Sequence, residues 1–172
     1  MATPTSLPAT FVAGNVLTAA QMNDLRGAFR ILQVVRATDT TERTTTSTSA
    51  VDANISVTIT PTSASSNIIL IWTHRLNSEV NASGFVTAST QITDSSNNAI
   101  SGAQHGAMTT RNFTTTGTPE LRTYEIRIGY DSPATTSATT YKGRFQVGVA
   151  GQTAKLKNTN SDGQMFALEI SA

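Results

Sequence analysis

The chain has 172 residues, 38% hydrophobic and only 13% charged, with a formal net charge of +1. That length fits one domain plus an extension, and the even charge lacks the basic footprint of a nucleic-acid binder. No cysteine is present, so disulfides, Cys-ligated zinc and thiol nucleophiles are excluded. Ser and Thr make up more than a quarter of the residues; Thr is β-branched and suits a pleated, half-exposed surface.

The N-terminal MATPTSLPAT has neither the charged region nor the apolar region of a secretory signal. Residues 1–17, with two of the prolines, read as an extended arm. A helix is expected over 18–32. Thr18 and Gln21 have capping-box spacing, and Leu17 and Met22 are placed as a hydrophobic staple across the cap. Met22, Leu25, Phe29 and Leu32 then recur at spacings of 3, 4 and 3, a narrow a/d seam. A helix of that length is marginal alone in water. Its seam must pack on its own domain or on another subunit. Leu17, Met22, Leu25, Phe29 and Leu32 are therefore the candidate docking and oligomerisation residues. ILQVV at 31–35 also has the β-branched character of a strand.

Residues 33–172 read as an antiparallel β-sandwich, jelly-roll-like, with seven or eight short strands. NISVTIT (54–60) alternates, with Ile55, Val57 and Ile59 expected inside. NIILIWTHR (67–75) is a near-continuous apolar run, as a central strand would be. GFVTASTQIT (84–93) is a weaker strand. LRTYEIRIGY (121–130) is expected to bury Tyr124, Ile126, Ile128 and Tyr130. TYKGRFQVGV (140–149) should bury Tyr141, Phe145, Val147 and Val149, and GQMFALEI (163–170) should bury Phe166, Leu168 and Ile170. Turn-forming stretches separate these segments. Residues 36–53 and 101–120 are the expected long loops.

No catalytic signature emerges. His74 and His105 have no carboxylate at metal-ligand spacing, so no metal site is expected; His74 reads as a partly exposed strand residue and His105 as a loop residue. No nucleophile elbow, phosphate loop or dinucleotide fingerprint is present. Paired carboxylates suited to glycoside cleavage are not identifiable, and aromatic platforms are scarce at 6%. The longest apolar run, IILIW at 68–72, is too short for a membrane-spanning helix. No cofactor, nucleic-acid partner or membrane insertion is expected.

Two patterns carry a resemblance. Gly14, Val16, Thr18, Ala19, Ala20, Gln21, Met22 and Asn23 resemble an N-terminal segment found on many structural proteins of tailed bacteriophages. ILQVV, SVTITPTSASSNIIL, DSPATTSATTY and the closing ALEI resemble, in that order, a body pattern of tail-fibre-like virion proteins. The resemblance implies a non-enzymatic virion structural protein, made in the host cytoplasm and assembled as a homotrimer. Its partners would be sister subunits, neighbouring virion proteins and a host-surface glycan or protein. A tail-associated fibre or tip is the first reading, a capsid decoration (cement) trimer the second, and a surface-polysaccharide depolymerase the third.

Overall fold

The computed structural model describes residues 31–79, 84–104, 106–112, 120–159 and 163–171, together with Gly14, Val16, Thr18, Ala19 and Met22. The described residues form ten strands: β1 (Ile31–Asp39), β2 (Arg43–Thr45), β3 (Val51–Ile59), β4 (Asn67–Glu79), β5 (Gly84–Asp94), β6 (Gly106–Asn112), β7 (Glu120–Asp131), β8 (Thr139–Val147), β9 (Thr153–Leu156) and β10 (Gly163–Ile170). They pair into two antiparallel sheets facing each other, a β-sandwich.

The six-stranded sheet runs β1-β10-β4-β9-β2, with β7 on the other side of β4; the four-stranded sheet runs β3-β8-β5-β6. β4 organises the larger sheet. Along one edge it pairs first with β10 (Asn67 to Thr73) and then with β9 (Leu76 to Glu79). Along the other it pairs with β7 from Ile68 to Glu79. The apolar run therefore does form a central strand, flanked on both edges.

The core lies between the sheets. Ile68, Leu70, Trp72 and Leu76 of β4 meet Ala53, Ile55, Val57 and Ile59 of β3, Val86, Ala88 and Ile92 of β5, and Tyr141, Phe145 and Val147 of β8. Alternation placed Ile55, Val57, Ile59, Tyr141, Phe145 and Val147 correctly. Val149 lies beyond β8 and is half-buried. Gly143 sits in the middle of β8 under the Trp72 ring. A Cβ there would stand 2.9 Å from both Ile55 Cγ2 and Trp72 Cζ2, so the indole occupies the room that a side chain would need.

Three features differ from the sequence reading. β7 is turned over: Tyr124, Ile126, Ile128 and Tyr130 face away from the core. The register explains it. Trp72 stands opposite Arg127, and directly paired residues share a face, so Trp72 pointing inward takes Arg127 and Glu125 with it. β10 is turned over likewise, because Trp72 also stands opposite Met165. Met165, Ala167 and Glu169 point inward, while Phe166, Leu168 and Ile170 lie on the outer face. His74 is 1% exposed rather than partly exposed, since it follows Trp72 on the inner face of β4.

The expected long loops also contain strands. Residues 36–53 hold the end of β1, all of β2 and the start of β3, and residues 101–120 hold β6. Both segments are too polar for the alternation of hydrophobic residues to mark them. β9 was missed for its shortness.

Candidate interaction surface

The docking residues proposed from sequence lie mostly outside the described residues: Leu17, Gln21, Leu25 and Phe29 are not placed. Of the rest, the Met22 amide donates to the Thr18 carbonyl at 3.0 Å, a bond of α-helical spacing. Met22 is 47% exposed. Leu32 belongs to β1, not to a helix, and is half-buried.

The larger apolar surface is on the outer face of the six-stranded sheet. The strand register sets it out in rows across β1, β10, β4 and β7. One row is Val34, Leu168, Ile69 and Tyr130; the next is Arg36, Phe166, Ile71 and Ile128; the third is Thr38, Gln164, Thr73 and Ile126. Arg75 and Tyr124 continue it along β4 and β7. Ile69, Ile71, Phe166 and Leu168 are half-buried among their neighbours in the sheet. Toward the edges exposure rises, to 70% for Tyr124, 60% for Ile126, 58% for Ile128 and 55% for Val34. Exposed large apolar residues scattered singly are ordinary, but a contiguous face of them is not.

Cations cover part of this face. The Arg36 guanidinium lies 5.7 Å from the Phe166 ring centroid, and the Arg75 guanidinium lies 5.7 Å from that of Tyr124. Arg36 also donates to Gln164 Oε1 at 2.9 Å. Beyond Tyr124 the face turns polar. Asn77 donates to Glu120 at 2.8 Å, Lys155 pairs with Glu79 at 2.6 Å, and Arg122 pairs with Glu120. The outer face therefore has an apolar centre and a rim carrying both signs of charge.

The four-stranded sheet is the opposite. Its outer face carries Ser56, Thr58, Thr140, Lys142, Arg144 and Thr87. Hydroxyls pair across strands, Thr58 with Thr140 at 2.8 Å and Thr87 with Thr109 at 3.3 Å. This is the wet face that the Ser/Thr-rich composition suggests.

Polar chemistry inside the sandwich is structural in form. Glu169, fully buried, accepts from Gln33 Nε2 (2.6 Å) and from the Thr62 amide (2.7 Å) and hydroxyl (2.8 Å). Burial alone would raise its pKa, but hydrogen bonds from Ser66, Gln33 and Thr62 outweigh that and hold it below the usual carboxylate range. The Tyr141 hydroxyl donates to Asp131 Oδ2 at 2.6 Å, and burial followed by that bond raises its pKa. His74 stacks on Trp72 with ring centroids 4.0 Å apart, and neither of its ring nitrogens has a hydrogen-bond partner. Burial, reinforced by the Arg127 charge, lowers its pKa from 6.5 to about 3. Arg127 is held by Thr90 Oγ1 at 2.8 Å and Glu125 at 2.7 Å.

Among the described residues, no group of three or more His, Asp or Glu side chains could hold a metal ion, and no helix is long and apolar enough to cross a membrane. A cleft of about 290 Å³ opens beside β2 and β3, lined by Glu42, Arg43, Thr44, Val51, Asp52, Asn54 and Phe145.

No protein-family model and no curated protein matches the sequence. Among solved structures, the chain is similar to a mutant VP2 protein of infectious bursal disease virus in derived T=1 particles, at 12% identity and a TM-score of 0.34, covering 81% of this chain and 36% of that one. It is also similar to a structure of the Gx strain of that virus, at 13% identity and a TM-score of 0.26, covering 81% and 38%. The chain thus spans little more than a third of those chains, and scores this low establish no shared role.

Proposed function

We propose that this protein is a non-enzymatic structural component of a tailed-bacteriophage virion, a homotrimeric tail-associated fibre or tip protein. Its N-terminal segment anchors it to a neighbouring virion protein, and its sandwich faces the host surface. The observation that carries the reading is the division of labour along the sequence. A segment resembling phage-virion N-termini, around Gly14 to Asn23, precedes an antiparallel sandwich with one hydroxyl-rich wet sheet and one apolar sheet face. An assembly protein needs apolar surface for its neighbours and polar surface for solvent or ligand. A host-surface glycan or protein would be met on the wet side or at the loops.

Immunogold labelling of intact virions with antibody raised to residues 31–172 tests the placement. Gold on the tail or its tip is the expected result. Gold confined to the head would overturn the tail reading and leave a capsid decoration protein. New reducing ends released from host envelope polysaccharide by the purified protein would overturn the non-enzymatic reading.

A further inference from the structure

We propose that the outer face of the β1-β10-β4-β7 sheet is the surface on which this protein associates with a second copy of itself. The inference rests on the homo-oligomer in the reading above but moves the main contact from the N-terminal seam to the sheet.

Size is the first argument. The most exposed apolar side chains of this face, Val34, Tyr124, Ile126, Ile128 and Tyr130, with Ile31 beside them, leave roughly 400–500 Å² open. That lies in the middle of the ~300–600 Å² that the largest patch of a monomer shows, a patch that is often functional. It is over half of the ~800 Å² that one partner contributes to a standard interface. The half-buried centre and the polar rim supply the remainder.

Anatomy is the second argument. An apolar centre, aromatic rings and arginines inside a polar rim is the arrangement of a specific interface, and interfaces between identical subunits are the more apolar kind. Charge is the third. The rim pairs Lys155 with Glu79 and Arg122 with Glu120, and the chain's net charge is only +1. The rim of a second copy therefore offers matched ion pairs, while Arg36 and Arg75 lie over the aromatic rings of the centre. The edge is the fourth. β7 has twelve residues and pairs along its length with β4; among the described residues, the only pairing on its other edge is an isolated bridge from Ser101 to Tyr130. A long edge strand with an apolar face is an aggregation hazard unless charge, a bulge, a loop or another chain protects it.

The test is sedimentation velocity on the full-length protein from about 1 to 100 μM, the range in which a micromolar association titrates. Three proteins are compared: wild type, Ile126→Glu/Ile128→Glu, and Leu25→Asp/Phe29→Asp. Wild type is expected to be oligomeric and the sheet-face variant monomeric, its association weakened ~100-fold or more, as for central interface residues. Both substituted residues are more than half exposed, so circular dichroism and the thermal transition should show a folded variant. A monomeric wild type, or a sheet-face variant in the wild-type state, overturns the proposal. So does dissociation by the seam variant alone, which would assign the contact to residues 18–30. Tyr124→Cys gives a second readout in a chain that has no cysteine of its own. Its maleimide labelling should slow ~10-fold or more between dilute and concentrated protein, as occlusion in an interface requires; an unchanged rate also overturns the proposal. A monomeric wild type would also overturn the homotrimer of the reading above, whereas a sheet-face variant in the wild-type state overturns the sheet contact alone, and virion labelling tests placement independently of both.

Discussion

His74 makes stability depend on mildly acidic pH, and the size of the effect follows from its burial. Its pKa of about 3 in the folded protein lies below the 6.5 of a free imidazole. The unfolded chain therefore binds a proton that the folded chain refuses. Stability is full above pH 6.5 and falls as pH drops toward 3. Each pH unit in the steep part of that window costs about 1.4 kcal/mol. Between pH 7 and pH 5 the loss from this one group comes to about 2 kcal/mol, or a Tm drop of roughly 4–8 °C for a domain of this size. Glu169 acts in the same direction but only further down. Its depressed pKa contributes stability that is present above the unfolded carboxylate pKa of about 4.3 and is lost below it. Measurements kept at pH 5 and above therefore isolate the histidine. Chemical denaturation of wild type and His74→Leu at pH 7 and pH 5, at one protein concentration, provides the assay. The variant should lose about 2 kcal/mol less than wild type on acidification, the integrated linkage of a single imidazole. It should be no less stable at pH 7, because two unpaired ring nitrogens leave the core. Equal losses in the two proteins would refute the claim that His74 is held neutral by burial.

Three further expectations follow from the interior. Gly143→Ala puts a methyl group 2.9 Å from Trp72 and Ile55, and overpacking should cost about 1–3 kcal/mol by urea denaturation despite the better strand propensity of Ala. Glu169→Gln weakens a charge-assisted cluster that ties Thr62 and Gln33 together. It should cost about 1.5–3 kcal/mol at pH 7 and flatten the stability profile below pH 4.5, read by the same titration. Tyr141→Phe removes the 2.6 Å bond to Asp131 and should lower stability by about 1–2 kcal/mol, with no change in far-ultraviolet circular dichroism.

Much of the fold was legible in the residues and much of the surface was not. Alternation in NISVTIT and TYKGRFQV named the core faces of β3 and β8 correctly, because only one face of each is apolar. IILIW, apolar on both faces, identified the central strand. The same logic failed for β7 and β10. In β7 the apolar set is the outer one, and the inner set is Thr123, Glu125 and Arg127, which a sequence reading assigns to solvent. In β10 the inward Met165 and Ala167 come with a buried Glu169, whose polar partners are 107 and 136 residues away. The seam around Leu25 and Phe29 came from local spacing and lies outside the described residues. The apolar sheet face needed four strands from distant parts of the chain, so no window of sequence contained it.

A two-residue period determines that a strand has two unlike faces, and the sequence alone showed that for β3, β7, β8 and β10. It also settled the class of fold, through short alternating segments divided by turn chemistry. Which face turned inward was decided by register. Once the indole of Trp72 entered the core, its partners Arg127 and Met165 were carried inward with it, and Ile126, Ile128, Phe166 and Leu168 were left on the outside. Pairing is a long-range choice: β4 turns Ile68, Leu70, Trp72 and Leu76 inward together, and the strands beside it follow the register it sets.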